Sequence, residues 1–196
     1  MYNYLIPFLF YIFSEPIAGL LTDTVVAYTI RTIGTGALIL FFYKRYKLRF
    51  RLHLPSILTG ILVFVIWVVL DPLYPHLGQT AYVPVSSYAA VIKIFGFLLV
   101  APIIEELFVR DFLARFFVNN NWRKVRIGTF SWLSFFITVL FFGLSHSQWL
   151  SGLAVGVILN LLLYKTKRID TCIQAHFVAN LALAILILYT GQWVLW

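Results

Sequence analysis

Long apolar segments alternate with short polar segments along the whole chain. A helix needs roughly 20 largely apolar residues to cross the hydrocarbon core of a membrane, and in lipid a helix satisfies its own backbone hydrogen bonds. The pattern therefore predicts an all-α, polytopic transmembrane helix bundle of seven helices, or of eight if the fourth segment is divided. The predicted segments lie near residues 4–21, 24–43, 54–70, 87–118, 127–145, 148–164 and 171–190.

The fourth segment, at 87–118, is too long for one perpendicular crossing of a membrane. Pro102 lies inside it, and an internal proline removes a backbone hydrogen-bond donor and crowds the preceding helical turn. We expect the helix to kink or break at this proline, which would leave a membrane span followed by a helix on the cytoplasmic surface.

The composition agrees with a membrane protein. Hydrophobic residues make up 62% of the 196 residues and charged residues only 11%. This is more apolar surface than one globular core of this size can bury, so the surplus must face lipid. We predict a single integral membrane domain over residues 1–196, with the candidate functional residues in a core at 87–190.

The net charge of +8 does not indicate a nucleic-acid-binding protein, because the basic residues fall in short loops rather than on one soluble face. Twelve of the fifteen Lys and Arg residues lie in three clusters, at 44–51, 115–126 and 165–168. Cytoplasmic loops of membrane proteins carry such an excess of basic residues. The pattern predicts a cytoplasmic N-terminus and basic loops that contact membrane lipids.

Charged residues inside apolar segments need a partner or a purpose. Glu15 and Arg31 lie on neighbouring segments, and we interpret them as a structural ion pair. Lys93 either extends its amine toward the membrane surface or lines a cavity. Cys172 is the one cysteine of the chain, and we expect it to be buried and without a chemical role.

The strongest local pattern is the run EELFVR at residues 105–110. Helical spacing places Glu106 and Arg110 on one face, whereas Glu105 points about 100° away. Glu106 is therefore predicted to be an ionised, structural partner of Arg110. Glu105 has no adjacent cation in this apolar segment, which favours a role as general base.

Two further polar sets lie in later segments. The run FGLSH at 142–146 ends in His146, and the run HFVAN at 176–180 places His176 and Asn180 on one helix face. Two imidazoles, an amide and two carboxylates within 76 residues of mostly apolar sequence indicate a functional site. Catalysis would require these side chains to line one water-accessible cavity.

The depth of these residues in the membrane is a constraint on that site. A straight helix from Arg126 reaches His146 only after twenty residues, whereas His176 lies eight residues from Arg168. We expect either that residues 111–130 dip into the membrane, so that the fifth helix starts deep, or that the helices tilt steeply around a wet cavity.

The three runs resemble the motifs E-E-x-x-x-R, F-x-x-x-H and H-x-x-x-N or D of the CAAX prenyl protease and bacteriocin-processing family of glutamate intramembrane proteases, in the family's order. The resemblance covers residues 105–180. It implies an intramembrane endopeptidase that needs no cofactor. In that family pattern, Glu105 and His146 would activate a water, His176 and Asn180 would stabilise the oxyanion, and Glu106, Arg110 and Phe142 would support them.

The resemblance also implies a substrate class and a location. The substrate would be a membrane-tethered or prenylated protein or peptide in a bacterial plasma (inner) membrane. Because Arg115, Arg123, Lys124 and Arg126 follow the Glu pair, we expect the site to open toward the cytoplasmic side. A small chain of this kind is similar as well to the prenyl-protease-related proteins that are associated with exosortase systems in bacteria.

Three other hypotheses fit the same residues. In a zinc-dependent protease, His146, His176 and Glu105 would bind the metal and Glu106 would act as base. In a non-catalytic scaffold or immunity-type protein, the polar residues would form a buried hydrogen-bonded network. In a transporter they would relay protons, but the chain is short and shows no pair of interrupted helices.

Overall fold

The computed structural model describes residues 1–46, 48–49, 51–78 and 83–195. Within these ranges the chain is all-helical and has no strand, which confirms the predicted fold class and the count of seven helices. The helices are α1 (Tyr2–Gly19), α2 (Thr24–Tyr46), α3 (Leu54–Leu70), α4 (Ser87–Phe116), α5 (Trp132–Leu144), α6 (Trp149–Thr166) and α7 (Ile169–Thr190).

Five of the helices are long and apolar enough to cross a membrane. They are α2, α3 with the short turn that follows it to Leu73, α4, α6 and α7. Helix α5 is as apolar as these but has only 13 residues, so at 1.5 Å per residue it extends about 20 Å. That length is short of the roughly 30 Å that a perpendicular span requires.

Polar side chains mark where the helices start. The Asp23 carboxylate accepts hydrogen bonds from the Val25 and Val26 backbone N–H groups at 2.8 and 3.0 Å, at the start of α2. The Ser86 hydroxyl accepts from the Ala89 N–H at 3.1 Å at the start of α4. Such caps satisfy backbone donors that have no partner within the helix.

We predicted that helix α4 kinks or breaks at Pro102, and it runs for 30 residues without a break. Its turns widen to the π-helical form at Gly96–Val100 and again at Leu107–Leu113. In an ordinary α-helix the proline ring crowds the carbonyl group four residues earlier, and here that carbonyl belongs to Leu98, inside the first widened turn. The widening accommodates Pro102, and the eighth helix does not form within the described chain.

The chain divides into two compact units. Unit 1 comprises Met1–Arg49 and Pro84–Phe108, and therefore contains α1, α2 and most of α4. The Tyr46 hydroxyl at the end of α2 donates a hydrogen bond to the Asn3 carbonyl oxygen of α1 at 2.5 Å. Helix α4 approaches α2 closely at Gly96, where a Cβ atom would lie 2.8 Å from the Thr32 hydroxyl oxygen.

Unit 2 comprises Phe50–Val83 and Val109–Trp196, with α3, the end of α4, and α5 to α7. Helices α5 and α6 form a hairpin that packs through glycines, since a Cβ atom on Gly152 would lie 3.0 Å from the Gly143 Cα. Helix α3 packs against α7 at Gly60, where a Cβ atom would lie 2.5 Å from the Ala175 carbonyl oxygen. The single domain over 1–196 stays a prediction.

Candidate active site

In unit 1, Glu105 lies near the middle of α4 and has a partner on α1. The Tyr11 hydroxyl donates a hydrogen bond to Glu105 Oε1 at 3.0 Å, across 94 residues of sequence. Glu105 is partly buried, whereas Glu106 is completely buried. The different surroundings of the two carboxylates agree with different roles, but the predicted ion pair of Glu106 with Arg110 stays a prediction.

The predicted pair of Glu15 and Arg31 is confirmed, since the Arg31 guanidinium binds the Glu15 carboxylate directly. The guanidinium carbon of Arg31 also lies 5.0 Å from the centre of the Tyr11 ring and 4.3 Å from the centre of the Tyr28 ring. The Lys93 amine lies 5.2 Å from the Tyr28 ring centre. Arg31 and Lys93, two cations of the apolar segments, thus lie against aromatic rings, whose faces stabilise cations.

In unit 2, the Phe142 side chain is in contact with three of the predicted site residues. Its ring centre lies 4.7 Å from the His146 ring and 5.8 Å from the His176 ring. The guanidinium carbon of Arg110 lies 4.0 Å from the same ring. The phenylalanine of the F-x-x-x-H motif therefore packs against both motif imidazoles and the motif arginine, each of which comes from a different helix or turn.

His146 has a defined ring orientation. Its Nδ1 lies 2.7 Å from the Phe142 carbonyl oxygen, and because a carbonyl oxygen only accepts, Nδ1 is the donor. A neutral imidazole with its proton on Nδ1 carries its lone pair on Nε2. Nε2 is therefore the nitrogen that is suited to accept a proton. The Trp67 ring of α3 packs edge-on against His146, with 5.6 Å between ring centres.

Helix α5 is shorter than the sequence predicted, and the expectation about the depth of the site residues stays a prediction. This helix begins at Trp132, where Ser131 caps it by accepting from the Ser134 N–H at 3.1 Å, and not near residue 127 as predicted. The Ser134 hydroxyl then donates to the Ala114 carbonyl oxygen at 2.6 Å, which fastens the start of α5 to the end of α4. Within unit 2, Phe142 of this helix lies beside His176 of α7, with 5.8 Å between ring centres.

His176 and Asn180 lie one turn apart on α7, and both are buried, with 7% and 8% exposure. Their common face agrees with the predicted shared role. The geometry of unit 2 thus brings Phe142, His146, His176 and Arg110 together. Glu105 and Glu106 belong to unit 1, and the predicted common cavity of the whole set stays a prediction.

Other candidate chemistry is limited. Cys172 is buried, as predicted, with its thiol 3.5 Å from the Leu159 carbonyl oxygen. Within the described ranges, no group of three or more His, Cys, Asp or Glu side chains is arranged to hold a metal ion. The zinc-dependent mechanism stays a hypothesis that chelation can test.

A basic depression follows the end of α4 in unit 2. Its volume is about 580 Å³, and it is lined by Val118, Asn119, Asn121, Lys124, Val125, Arg126 and Thr129. The segment around it is ordered by its own contacts, because the Lys167 amine donates to the Gly128 carbonyl oxygen at 2.5 Å and the Arg115 guanidinium stacks on Trp122 at 4.7 Å. Amides and cations in one open depression are suited to anionic groups.

Tyr11 and Trp67 are site neighbours that the sequence did not reveal. Tyr11 is one of eleven tyrosines, and Trp67 one of six tryptophans. Neither stands in a motif, and each is surrounded by apolar residues that give it no distinctive pattern. Their proximity to Glu105 and His146 follows from helix packing alone.

Comparison with known proteins gives one match. Residues 86–182 match the model of a protein family described as type II CAAX prenyl endopeptidase Rce1-like. The matched segment contains all seven predicted site residues, and it agrees with the resemblance based on the three motifs. No curated protein and no solved structure matches the chain at a significant level.

Proposed function

Since this chain belongs, through residues 86–182, to the type II CAAX prenyl endopeptidase Rce1-like family, we propose that it is a glutamate-type intramembrane endopeptidase. Membership in the family, together with five apolar helices able to span a membrane, makes the chain an integral membrane protease of the CAAX type in general. The glutamate mechanism, the roles of individual residues and the substrate are the proposal.

The observation that carries the proposal is the contact of Phe142 with both motif imidazoles. Motif residues 34 positions apart in sequence, Phe142 and His176, pack together in unit 2, as residues of one site would. Two imidazoles packed on one phenylalanine ring are of little use to a purely structural apolar core, where each polar group must be compensated by hydrogen bonds.

In the proposed reaction, the Glu105 carboxylate accepts a proton from a water that His146 Nε2 helps to orient. The water oxygen attacks the peptide carbonyl carbon, and the negative charge on the carbonyl oxygen is held by N–H donors of His176 and Asn180. The C–N bond then breaks, and the proton passes to the leaving amine. General base catalysis contributes about 10²- to 10⁴-fold in rate, and each oxyanion donor about 2 to 4 kcal/mol.

We further propose that the substrate is tethered to the membrane by a prenyl group or by its own apolar segment and arrives from the cytoplasmic side of a bacterial plasma membrane. Arg115 lies in the last turn of α4, and Arg123, Lys124 and Arg126 follow that helix. Such basic clusters face the cytoplasm. The basic depression offers Lys124 and Arg126 to an acidic group of the substrate or to an anionic lipid.

The experiment is cleavage of a peptide that ends in a prenylated cysteine and three further residues, by protein in liposomes, with both products identified by mass spectrometry. Glu105→Gln keeps the size and the oxygen that accepts from Tyr11, but it removes the base. We expect at least a 10²-fold loss of rate with an unchanged melting temperature. Full activity of this variant would refute the glutamate mechanism, whereas a folded wild-type protein that cleaves nothing would favour the non-catalytic scaffold hypothesis.

A chelation arm of the same assay tests the zinc-dependent alternative. Wild-type protein incubated with a strong chelator and then freed of metal should cleave the peptide at an unchanged rate. A rate that falls on chelation and returns with added zinc would replace the proposed mechanism by the metal-dependent one. Cys172→Ser should cleave at the wild-type rate, because the thiol is buried and has no role in the proposed reaction.

A further inference from the structure

The hydrogen bond from Tyr11 to Glu105 joins two helices of unit 1 at the proposed general base. The Tyr11 hydroxyl lies 3.0 Å from Glu105 Oε1. A hydroxyl among apolar residues is costly unless it is hydrogen-bonded. The bond between Tyr11 of α1 and Glu105 of α4 gives the hydroxyl an acceptor and the carboxylate a donor. No motif that includes Glu105 predicts this partner.

A second contact fixes the register of α1 on α4. The rings of Phe8 and Phe108 are stacked, with 3.6 Å between their centres and 3° between their planes. Phe8 lies three residues before Tyr11 and Phe108 three residues after Glu105, so the two contacts follow each other along an antiparallel helix pair. Both phenylalanines are buried. The backbone positions of Tyr11 and Glu105 are therefore set by apolar packing, independently of their hydrogen bond.

The Tyr11 ring is itself held in place by a charged pair. The Arg31 guanidinium of α2 lies over this ring at 5.0 Å and binds the Glu15 carboxylate. Glu15 is four residues after Tyr11 in α1, so both point toward α2 from the same helix face. Arg31 thus contacts two residues of α1 that are one helical turn apart, and it leaves the Tyr11 hydroxyl directed at Glu105.

We propose that Tyr11 is a positioning residue of the protease, and that its hydroxyl orients the Glu105 carboxylate for proton abstraction while the Glu15–Arg31 pair holds the Tyr11 ring. This inference rests on the proposed function, because it takes Glu105 as the general base. A carboxylate on a flexible side chain adopts many orientations, and a hydrogen bond to Oε1 restricts them to a few. Catalysis requires its reacting groups to be held within about 0.5 Å of the productive geometry.

The test compares Tyr11→Phe with Tyr46→Phe. Tyr46 is a matched control because it also joins α1 to another helix of unit 1, with a hydroxyl that donates to the Asn3 carbonyl oxygen at 2.5 Å. Both variants lose one interhelical hydrogen bond. We expect Tyr11→Phe to lower kcat about 10- to 100-fold with KM within twofold of wild type, and Tyr46→Phe to leave kcat per folded molecule unchanged.

A double-mutant cycle separates positioning from a general structural effect. Glu105→Asp withdraws the carboxylate by one methylene group, so the Tyr11 hydroxyl no longer reaches it. If Tyr11 acts through Glu105, Tyr11→Phe should lower kcat less than threefold in the Glu105→Asp background, because coupled residues are not additive. An equal loss in both backgrounds would show that Tyr11 does not act through Glu105, and would overturn the inference.

Two non-natural amino acids at position 11 provide the same test without leaving a cavity where the hydroxyl was. 4-Methylphenylalanine in place of Tyr11 fills the space of the hydroxyl without a donor, and 4-aminophenylalanine restores a donor at the same position. We expect kcat to be low with the methyl group and to return to within a few-fold of wild type with the amino group. Equal rates for the two would overturn the inference, even if Tyr11→Phe failed to fold.

The outcomes also separate this inference from the function on which it rests. If Glu105→Gln is inactive and Tyr11→Phe has the wild-type kcat, only the role of Tyr11 is refuted. If Glu105→Gln is fully active, the proposed general base is refuted and the role of Tyr11 falls with it. Loss of kcat in both variants, with Tyr46→Phe active, supports both.

Discussion

Substitution of Gly60 tests how closely α3 and α7 must pack for His176 to hold its position in unit 2. A Cβ atom at Gly60 would lie 2.5 Å from the Ala175 carbonyl oxygen and 2.7 Å from Val178 Cβ. Ordinary contacts start at 3.4 Å, so Gly60→Ala must separate the two helices by about 1 Å. The carbonyl oxygen belongs to the helical backbone and cannot move aside as a side-chain end can.

The expected cost follows from two opposing effects. Replacing glycine by alanine inside a helix stabilises it by about 0.5 to 1 kcal/mol, whereas overpacking a close contact costs about 1 to 3 kcal/mol. Because the clash at Gly60 is with backbone, we expect the upper part of that range and a net loss of about 1 to 2 kcal/mol. Ala175 directly precedes His176, a proposed oxyanion donor, and a 1 Å shift of a catalytic group can cost about 10²-fold in rate.

The assay is thermal unfolding in detergent together with the peptide cleavage rate per folded molecule. Gly36→Ala is the matched control, because a Cβ atom there meets only Val100 Cγ2, at 3.9 Å. That variant should melt at or slightly above the wild-type temperature. If Gly60→Ala melts at or above the temperature of Gly36→Ala and retains full activity, the close approach of α3 to α7 does not hold.

Two further predictions concern Arg110 and the orientation in the membrane. Arg110→Leu should reduce folded yield and activity together, since Arg110 is completely buried over the Phe142 ring and breaking a buried ion pair costs about 3 to 5 kcal/mol. Normal yield and a normal melting temperature would contradict the predicted pairing of Arg110 with Glu106. In a Cys172→Ser background, a cysteine replacing Asn120 should react with a thiol probe confined to the cytoplasm, and labelling only by a probe confined to the outer face would show that the predicted topology is inverted.

The pattern of apolar and polar residues was sufficient to predict seven helices and the ends of most of them. Lipid provides no hydrogen bonds, so each apolar segment must satisfy its backbone internally and becomes helical whatever its neighbours are. The pairing of Glu15 with Arg31 was also predictable, because a charge in an apolar segment needs an opposite charge nearby. Neither inference requires knowledge of how the helices pack.

The path of α4 through Pro102 was not predictable, because it depends on a local choice between breaking a helix and widening a turn. Proline excludes one hydrogen bond and one carbonyl position, and both a break and a π-helical turn satisfy that restriction. The late start of α5 at Trp132 was hidden for a similar reason. The sequence is predominantly apolar from 127 to 145. The first turn of α5 is set by the Ser131 cap and by the hydrogen bond from the Ser134 hydroxyl to the Ala114 carbonyl oxygen.

The sequence identified His146 and His176 as candidates, because imidazoles are rare in apolar segments, and it identified Phe142 through the F-x-x-x-H motif. The contacts of Phe142 with the two imidazoles are a property of the tertiary structure. The same is true of Tyr11 and Trp67, which resemble every other aromatic residue of an apolar helix. Sequence periodicity determines which face of a helix a residue occupies. Only the packing of one helix against another decides that the Tyr11 hydroxyl meets Glu105, 94 residues away, and that one phenylalanine ring contacts two imidazoles.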